Sequence, residues 1–227
     1  MQGIKQNSIL IVDDEQHITE LIQYNLLNAG FKTYVAHNGI EAIQVARQAN
    51  PDLILLDVNI PKKDGYQTCK ELRTIPSLQH TIIIFLTAMS DETSEIKGLE
   101  LGADDYIAKP IKPNLLITRI KSALRKVVKE DADNELEFNG LTIHKSEYNI
   151  TLDGVVVTLA RKEFELLFML ASKPGKVFDR NEILQKIWGS EVIVGDRTID
   201  VHIRKIRQKL NEKYIFTVKG VGYKFQD

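Results

Sequence analysis

The sequence predicts a doubly wound α/β domain with a five-stranded parallel sheet, followed by a smaller α+β domain closed by a β-ribbon. Three observations carry this expectation. Short apolar runs alternate with amphipathic stretches five times in the first half. Several of those runs are apolar almost throughout, as strands covered on both faces are. The second half changes rhythm, to short β-like pieces, three helical patterns and a terminal hairpin. With 227 residues the chain has room for two small domains.

The strands of the first half are expected at Ile9–Val12, Lys32–Ala36, Leu53–Leu56, Ile82–Leu86 and Tyr106–Ala108. Between them, Ile18, Leu21, Ile22, Asn25 and Ala29 share one helical face, and Leu116, Ile120, Leu124 and Val127 repeat that spacing. The charged stretch KVVKEDADNE (126–135) interrupts the rhythm. It divides the chain into domains at 1–128 and 135–227, with a linker at 129–134. In the second domain, Asp153-Gly154 between Asn149–Leu152 and Val155–Val157 is a hairpin signal. Helical patterns follow at about 160–172, 180–188 and 197–211, and Phe216–Val218 pairs with Tyr223–Phe225 as a second hairpin. Strands, three helices and a closing ribbon suggest a winged helix.

Composition narrows the setting. Hydrophobic residues make up 43% and charged residues 27%, with a net charge of −1, so the overall charge names no partner. The first half is slightly acidic and the second slightly basic, which suits a phosphate-handling half and a DNA-facing half. A single cysteine, Cys69, excludes an intrachain disulfide. The first eight residues are polar, unlike a signal peptide, and no apolar run is long enough to span a bilayer. The expected protein is soluble and cytoplasmic, with no membrane partner.

Chemistry gathers at strand ends. Asp13 and Asp14 follow the first strand, Asp57 the third, Thr87 the fourth and Lys109-Pro110 the fifth. In a doubly wound sheet, ligands sit outside the carboxyl ends of the strands, so these groups are expected in one pocket. Three crowded carboxylates repel one another unless a cation joins them. An all-oxygen, highly charged site suits Mg²⁺. A carboxylate can act as a nucleophile, and phosphoryl transfer mainly needs positioning and charge neutralisation, which Mg²⁺ and Lys109 would provide.

The segments IVDDE (11–15), LLDVNIPKKDGY (55–66), FLTA (85–88) and GADDYIAKP (102–110) closely resemble the flavodoxin-like receiver domains of two-component response regulators. The resemblance implies that Asp57 is the phosphoacceptor. It implies Mg²⁺ on Asp13, Asp14 and Asp57, with the backbone carbonyl of Asn59 as a further ligand. Thr87 and Lys109 would bind the phosphoryl group, Tyr106 would be the aromatic switch, and Lys109-Pro110 would be cis. The family's partner is a sensor histidine kinase.

The segment Arg197–Leu210 (RTIDVHIRKIRQKL) carries a second signal. Ile199, Ile203, Ile206 and Leu210 form one stripe at about 100° per residue. The opposite face then holds Arg197, Val201, Arg204, Lys205 and Gln208, flanked by His202, Arg207 and Lys209. An apolar Val201 among outward cations suits a thymine methyl, and Arg or Lys suits guanine or phosphate. Lys219, followed by Gly220 and Gly222, sits at a tight turn.

EFELL (163–167), RNEILQKIWG (180–189), RTIDVHIRKIRQKL (197–210) and VKGVGYKF (218–225) resemble the OmpR/PhoB-type effector domain, which binds double-stranded promoter DNA. The resemblance implies that 197–210 is the recognition helix, that His202 and Arg207 meet phosphates, and that Lys219 lies on a minor-groove wing. Trp188 is left open between backbone contact and core packing. The segment Gly189–Gly195 lies where the family touches RNA polymerase. Ala160 departs from the family's common Thr, so its side chain cannot cap the following helix; without a substitute this costs about 0.5–2 kcal/mol. Asp179 and Glu182 have capping-box spacing for the next one.

The family forms a homodimer on phosphorylation, through the face of its fourth helix, fifth strand and fifth helix. Matching positions here are Glu100, Asp104, Asp105, Arg119 and Lys121. The family's usual pair at Glu95 and Leu115 is missing. The expected function is a phosphorylation-dependent transcription regulator, catalytic only toward its own Asp57. A signalling module that does not read DNA is disfavoured by the cationic face of 197–210. A phosphatase acting on other molecules is disfavoured by the single nucleophilic carboxylate.

Overall fold

A computed structural model describes residues 6–88, 98–124, 135–189, 197–210 and 212–226. The chain divides into two compact units, Met1–Arg125 and Lys126–Asp227. The expected linker at 129–134, together with Glu95 and Val127, lies outside the described residues.

The first unit is built on five parallel strands: β1 (Ser8–Val12), β2 (Lys32–Ala36), β3 (Leu53–Asp57), β4 (Ile82–Thr87) and β5 (Asp105–Ala108), in the order β2-β1-β3-β4-β5. The all-parallel pairing explains the near-continuous apolar runs, because both faces are covered. Odd-numbered Ile9, Ile11, Leu53 and Leu55 pack with Ile22, Leu26, Leu116 and Ile120. Their neighbours Leu10, Val12, Ile54 and Leu56 pack on the other face with Ala42, Ala46, Cys69 and Leu72.

Among the described residues, the helices of this unit include α1 (Gln16–Asn28), α2 (Gly39–Ala49), α3 (Gly65–Thr74) and α4 (Pro113–Leu124). Asn38 caps α2 by accepting from the Glu41 N–H at 3.1 Å, and Asp64 caps α3 by accepting from Gln67 N–H at 2.7 Å. The apolar face expected of α1 needs one correction. Its buried residues are Thr19, Ile22 and Leu26, and Leu21 is 52% exposed. The stripe that meets the sheet and α4 centres on Ile22 and leaves Leu21 on its solvent side.

In the second unit, β6 (Glu135–Phe138), β7 (Leu141–His144), β8 (Asn149–Leu152) and β9 (Val155–Thr158) form an antiparallel meander. Asp153 and Gly154 turn the last hairpin with φ of 47° and 81°, the positive pair that a tight two-residue turn requires. Helices α5 (Arg161–Ala171), α6 (Arg180–Ile187) and α7 (Arg197–Leu210) follow. A small sheet of β10 (Phe178–Asp179), β12 (Gly222–Phe225) and β11 (Ile215–Val218) closes the unit as the expected ribbon. Here Gly222 is required by close approach: a β-carbon would collide with the Phe178 carbonyl.

Helix α5 is not left uncapped by Ala160. The Glu163 carboxylate accepts from the Ala160 N–H at 3.0 Å, half of a capping box without the hydroxyl. Asp179 caps α6 by accepting from Glu182 N–H at 2.8 Å. The Glu182 carboxylate itself is taken by Lys176 and Lys186.

Candidate functional sites

The parallel order of β1, β3, β4 and β5 brings their carboxyl ends side by side. Asp13, Asp14 and Asp57 each offer an oxygen within 4.8 Å of the others. Lys109 Nζ lies 2.9 Å from Asp57 Oδ2 and 2.8 Å from Asp13 Oδ2, with Glu15 at 3.8 Å. Asp13 and Asp57 are buried and Asp14 is exposed, so the cluster opens to solvent on one side. The Lys109-Pro110 peptide is cis, as expected.

Neighbouring backbone orients the carboxylates. Asp13 Oδ1 accepts from Glu15 N–H at 3.0 Å, and Asp57 Oδ1 accepts from Asn59 N–H at 3.4 Å. The loop after β3 folds tightly over Asp57, where a β-carbon on Gly65 would collide with the Asp57 carbonyl. On the far side, the His37 ring Nδ1 sits 3.2 Å from the Asp13 carbonyl.

The electrostatics are those of a site short of positive charge. Burial pushes the Asp13 pKa up and the Asp57 charge adds to this, against the pull of Lys109. Burial alone would lower the Lys109 pKa, but Asp13 and Asp57 outweigh it and hold the ammonium above its usual range. Among the described residues, Asp13 Oδ2 receives no aligned hydrogen bond, although the Lys109 ammonium is close. A buried carboxylate oxygen left this way, beside two more carboxylates, fits a hard divalent cation.

Thr87 is buried at the end of β4, and its carbonyl accepts from the Lys109 N–H at 2.7 Å. Tyr106 is half-buried on β5. A small cavity lined by Val58, Phe85, Thr87, Leu99, Ala103 and Tyr106 lies between them.

The residues expected on a dimer face separate into two groups. Glu100 and Lys121 are exposed. Asp105 and Arg119 are buried and paired within the chain at 3.3 Å, and Arg119 also donates to the Tyr106 carbonyl at 2.8 Å. Asp104 is a correction. It is 1% exposed and accepts from Arg73 Nη2 at 2.7 Å and from Ile83 N–H at 2.9 Å. Arg73 also donates to the Gly102 and Thr81 carbonyls, so Asp104 anchors the fold and is not surface. Sequence reading missed Arg73 because a lone Arg on an amphipathic helix carries no signal of what it reaches.

The second site is α7. Its 4-3-4 stripe is buried as expected, at Ile199, Ile203, Ile206 and Leu210. The buried arc is wider than that stripe, however, because α5 and α6 both pack against the helix. Two outward assignments, Val201 and Lys205, and the edge assignment of His202 are therefore corrected. Val201 is only 7% exposed. His202 is 1% exposed, with Nδ1 on the Thr198 carbonyl at 2.8 Å and its ring edge-on to Trp188 at 5.2 Å. Lys205 turns inward, 3.4 Å from the buried Glu163. Of the two readings of Trp188, burial at 3% exposure selects core packing.

Arg197, Arg204 and Gln208 are exposed and form the outward face of α7, with Asp200 beside them. Arg207 is half-buried and joins α7 to the ribbon: it donates to the Ile215 carbonyl at 2.9 Å and to Thr217 Oγ1 at 2.8 Å. Tyr223 of β12 donates to Asp200 at 2.5 Å, and Arg180 approaches the same carboxylate at 3.1 Å. Burial, with Asp200 accepting a hydrogen bond from the hydroxyl and adding its negative charge, pushes the Tyr223 pKa up to about 12. Lys219 is exposed at the ribbon turn beside Gly220, whose φ is 74°. Of the segment expected to meet RNA polymerase, residues 190 to 195 lie outside the described residues. Among the described residues no helix is long and apolar enough to cross a membrane.

Comparison with known proteins identifies both domains. Residues 9–121 match the family described as response regulator receiver domain, and residues 154–225 match transcriptional regulatory protein, C terminal. The chain is 39% identical over its whole length to the transcriptional regulatory protein ResD of Bacillus subtilis, covering 98% of that protein. It is 40% identical to SrrA of Staphylococcus aureus, across 97% of this chain and 95% of the relative. Among solved structures, a mutant of RitR superposes with a TM-score of 0.79 at 27% identity, covering 97% of this chain and 99% of the other.

Proposed function

The chain belongs to the OmpR/PhoB-type family of two-component response regulators, transcriptional regulators with a receiver domain and a DNA-binding domain, and we propose that phosphate accepted on Asp57 controls its binding to promoter DNA. The observation that carries this reading is Lys109 held between Asp57 and Asp13, with a third carboxylate, Asp14, within reach.

In this reading a sensor histidine kinase or a small phosphodonor delivers the phosphoryl group. An Asp57 carboxylate oxygen forms the new P–O bond as the bond from phosphorus to the donor breaks, and the donor leaves with that electron pair. Lys109 neutralises charge on the transferring group, and the Thr87 hydroxyl donates to a phosphoryl oxygen. Asp13, Asp14, Asp57 and the Asn59 carbonyl would hold Mg²⁺, which supplies further charge neutralisation when bound. The activity is confined to the chain's own Asp57.

The phosphoryl group draws Thr87 toward it, and Tyr106 moves into the space vacated beside Thr87. That rearrangement promotes a homodimer through the face that exposes Glu100 and Lys121, with the buried Asp105 and Arg119 exchanging partners on association. The second domain, taken as 135–227 after a receiver at 1–128 and a linker, then engages double-stranded promoter DNA in the cytoplasm. Arg197 and Arg204 face the major groove and Lys219 the minor groove, and RNA polymerase is the further partner.

The test is acyl-phosphate mapping after treatment with a small phosphodonor and Mg²⁺. Label is expected on Asp57 and lost both in Asp57→Asn and on chelation of the metal. Full labelling of Asp57→Asn would overturn the assignment.

A further inference from the structure

We propose that Glu163 competes with DNA for Lys205 of the recognition helix, and so lowers the sequence-independent part of DNA affinity from inside the domain. The inference deepens the proposed function, because it rests on α7 being the helix that meets DNA.

Three observations support it. Glu163 is 1% exposed, at the start of α5, facing α7. Its carboxylate is 2.7 Å from Lys209 Nζ and 3.4 Å from Lys205 Nζ. Lys205 is drawn in so far that its side chain is only 14% exposed, although the helix projection places it outward. A lysine normally keeps its ammonium in water and buries only its stem. Here the buried carboxylate reverses that tendency. Glu163 in turn is fixed by the Ala160 N–H, so it cannot follow a lysine that swings out.

The consequence is a division of labour on α7. Arg197 and Arg204 remain outward. Lys205 is withheld, and Lys209 is shared between Glu163 and the Thr158 carbonyl. Each cation placed on a phosphate steepens the salt dependence of binding by about one unit in log K against log salt. Holding Lys205 inward therefore lowers affinity for DNA of any sequence and leaves contacts that discriminate sequence with a larger share of the total. Glu163 is a positioning residue in this scheme and touches no DNA.

Salt-dependent binding of the full chain to random-sequence duplex DNA tests this. In Glu163→Gln the amide oxygen can still accept from Ala160 N–H, while the charge that holds Lys205 is gone. Its salt slope should steepen by about one unit, and the double variant Glu163→Gln/Lys205→Gln should return to the wild-type slope. Lys205→Gln alone should leave the slope unchanged, which keeps the proposal testable if Glu163→Gln fails to fold. A wild-type slope in folded Glu163→Gln, a steepening that Lys205→Gln does not reverse, or a shallower slope in Lys205→Gln would each overturn the proposal. Arg204→Ala separates the two readings. If it leaves slope and selected motif untouched, α7 is not the reading helix and the proposed function fails first.

Discussion

The Arg119 guanidinium and the Asp105 carboxylate, both buried, are paired at 3.3 Å within a single chain. The family resemblance assigns these positions to contacts between two chains. A dimer built on them must therefore exchange an existing partner, and only the difference between the two pairings favours association. Breaking a buried pair by removing one member is costly, commonly about 3–5 kcal/mol. Arg119→Glu is expected to abolish the dimer formed with Mg²⁺ and a stable phosphoryl mimic, as read by sedimentation. It should also lower receiver stability without either, because Asp105 then faces a like charge. A normal dimer in Arg119→Glu would remove this face from the mechanism.

Asp13 predicts how metal and pH act on the receiver. Its pKa is raised by burial, so the folded state holds the proton more tightly than the unfolded chain does. The sign is the reverse of the usual carboxylate: this group favours folding at low pH, and that contribution is lost as pH rises through the raised pKa. Mg²⁺ should restore stability at neutral pH, by about 2.7 kcal/mol at a hundredfold excess over Kd. Asp13→Asn should be at least as stable as wild type without metal, and should gain little from it. Thermal melts with and without Mg²⁺ decide this, and an undiminished metal response in Asp13→Asn would contradict it.

Arg207 and Arg204 should behave differently, though both are cations on α7. Arg207 spends its guanidinium on the Ile215 carbonyl and Thr217, tying helix to ribbon. Arg204 is exposed on the outward face. Arg204→Ala is expected to relax preference at one base position, at a cost of about 1–3 kcal/mol. Arg207→Ala should lower domain stability by about 1–3 kcal/mol and weaken binding on all sequences, because the wing is no longer held. Site selection with each variant at fixed salt, alongside denaturation, distinguishes them. A changed motif in Arg207→Ala with an intact one in Arg204→Ala would reverse the roles.

Glu163 makes an acid-range prediction. Burial raises its pKa, but Lys209 and Lys205 outweigh burial and bring it down to about 2, from 4.5. A depressed carboxylate stabilises the fold above its unfolded pKa, and that stability is lost as pH falls from about 4.5 toward 2. The full difference is on the order of 3 kcal/mol. Trp188, the only tryptophan, lies in this domain and reports its unfolding separately. Tryptophan fluorescence during denaturation should show Glu163→Gln less stable than wild type at pH 6 and the gap narrowing steadily as pH falls from about 4.5 toward 2. A gap independent of pH would mean that the carboxylate charge is not what stabilises this contact.

Much of this protein is determined locally. Short, nearly continuous apolar runs placed all five receiver strands, and the residues that follow or end them brought Asp13, Asp14, Asp57 and Lys109 together. Parallel topology converges strand ends whatever packs around them, so the sequence alone makes that site legible. The paired positive φ at Asp153-Gly154 and the Asp179 cap are equally local. What one element presents to another was not legible. The helix projection found the buried stripe of α7, yet the outward face depended on α5 and α6 covering Val201 and His202 and on Glu163 drawing Lys205 inward. Asp104 and Asp105, adjacent in sequence and alike in chemistry, were divided between Arg73 and Arg119. Periodicity specifies which side of an element is apolar; which charge a side chain finds depends on atoms brought close only by the fold, at distances where a few ångströms decide between a solvated ion and a paired one.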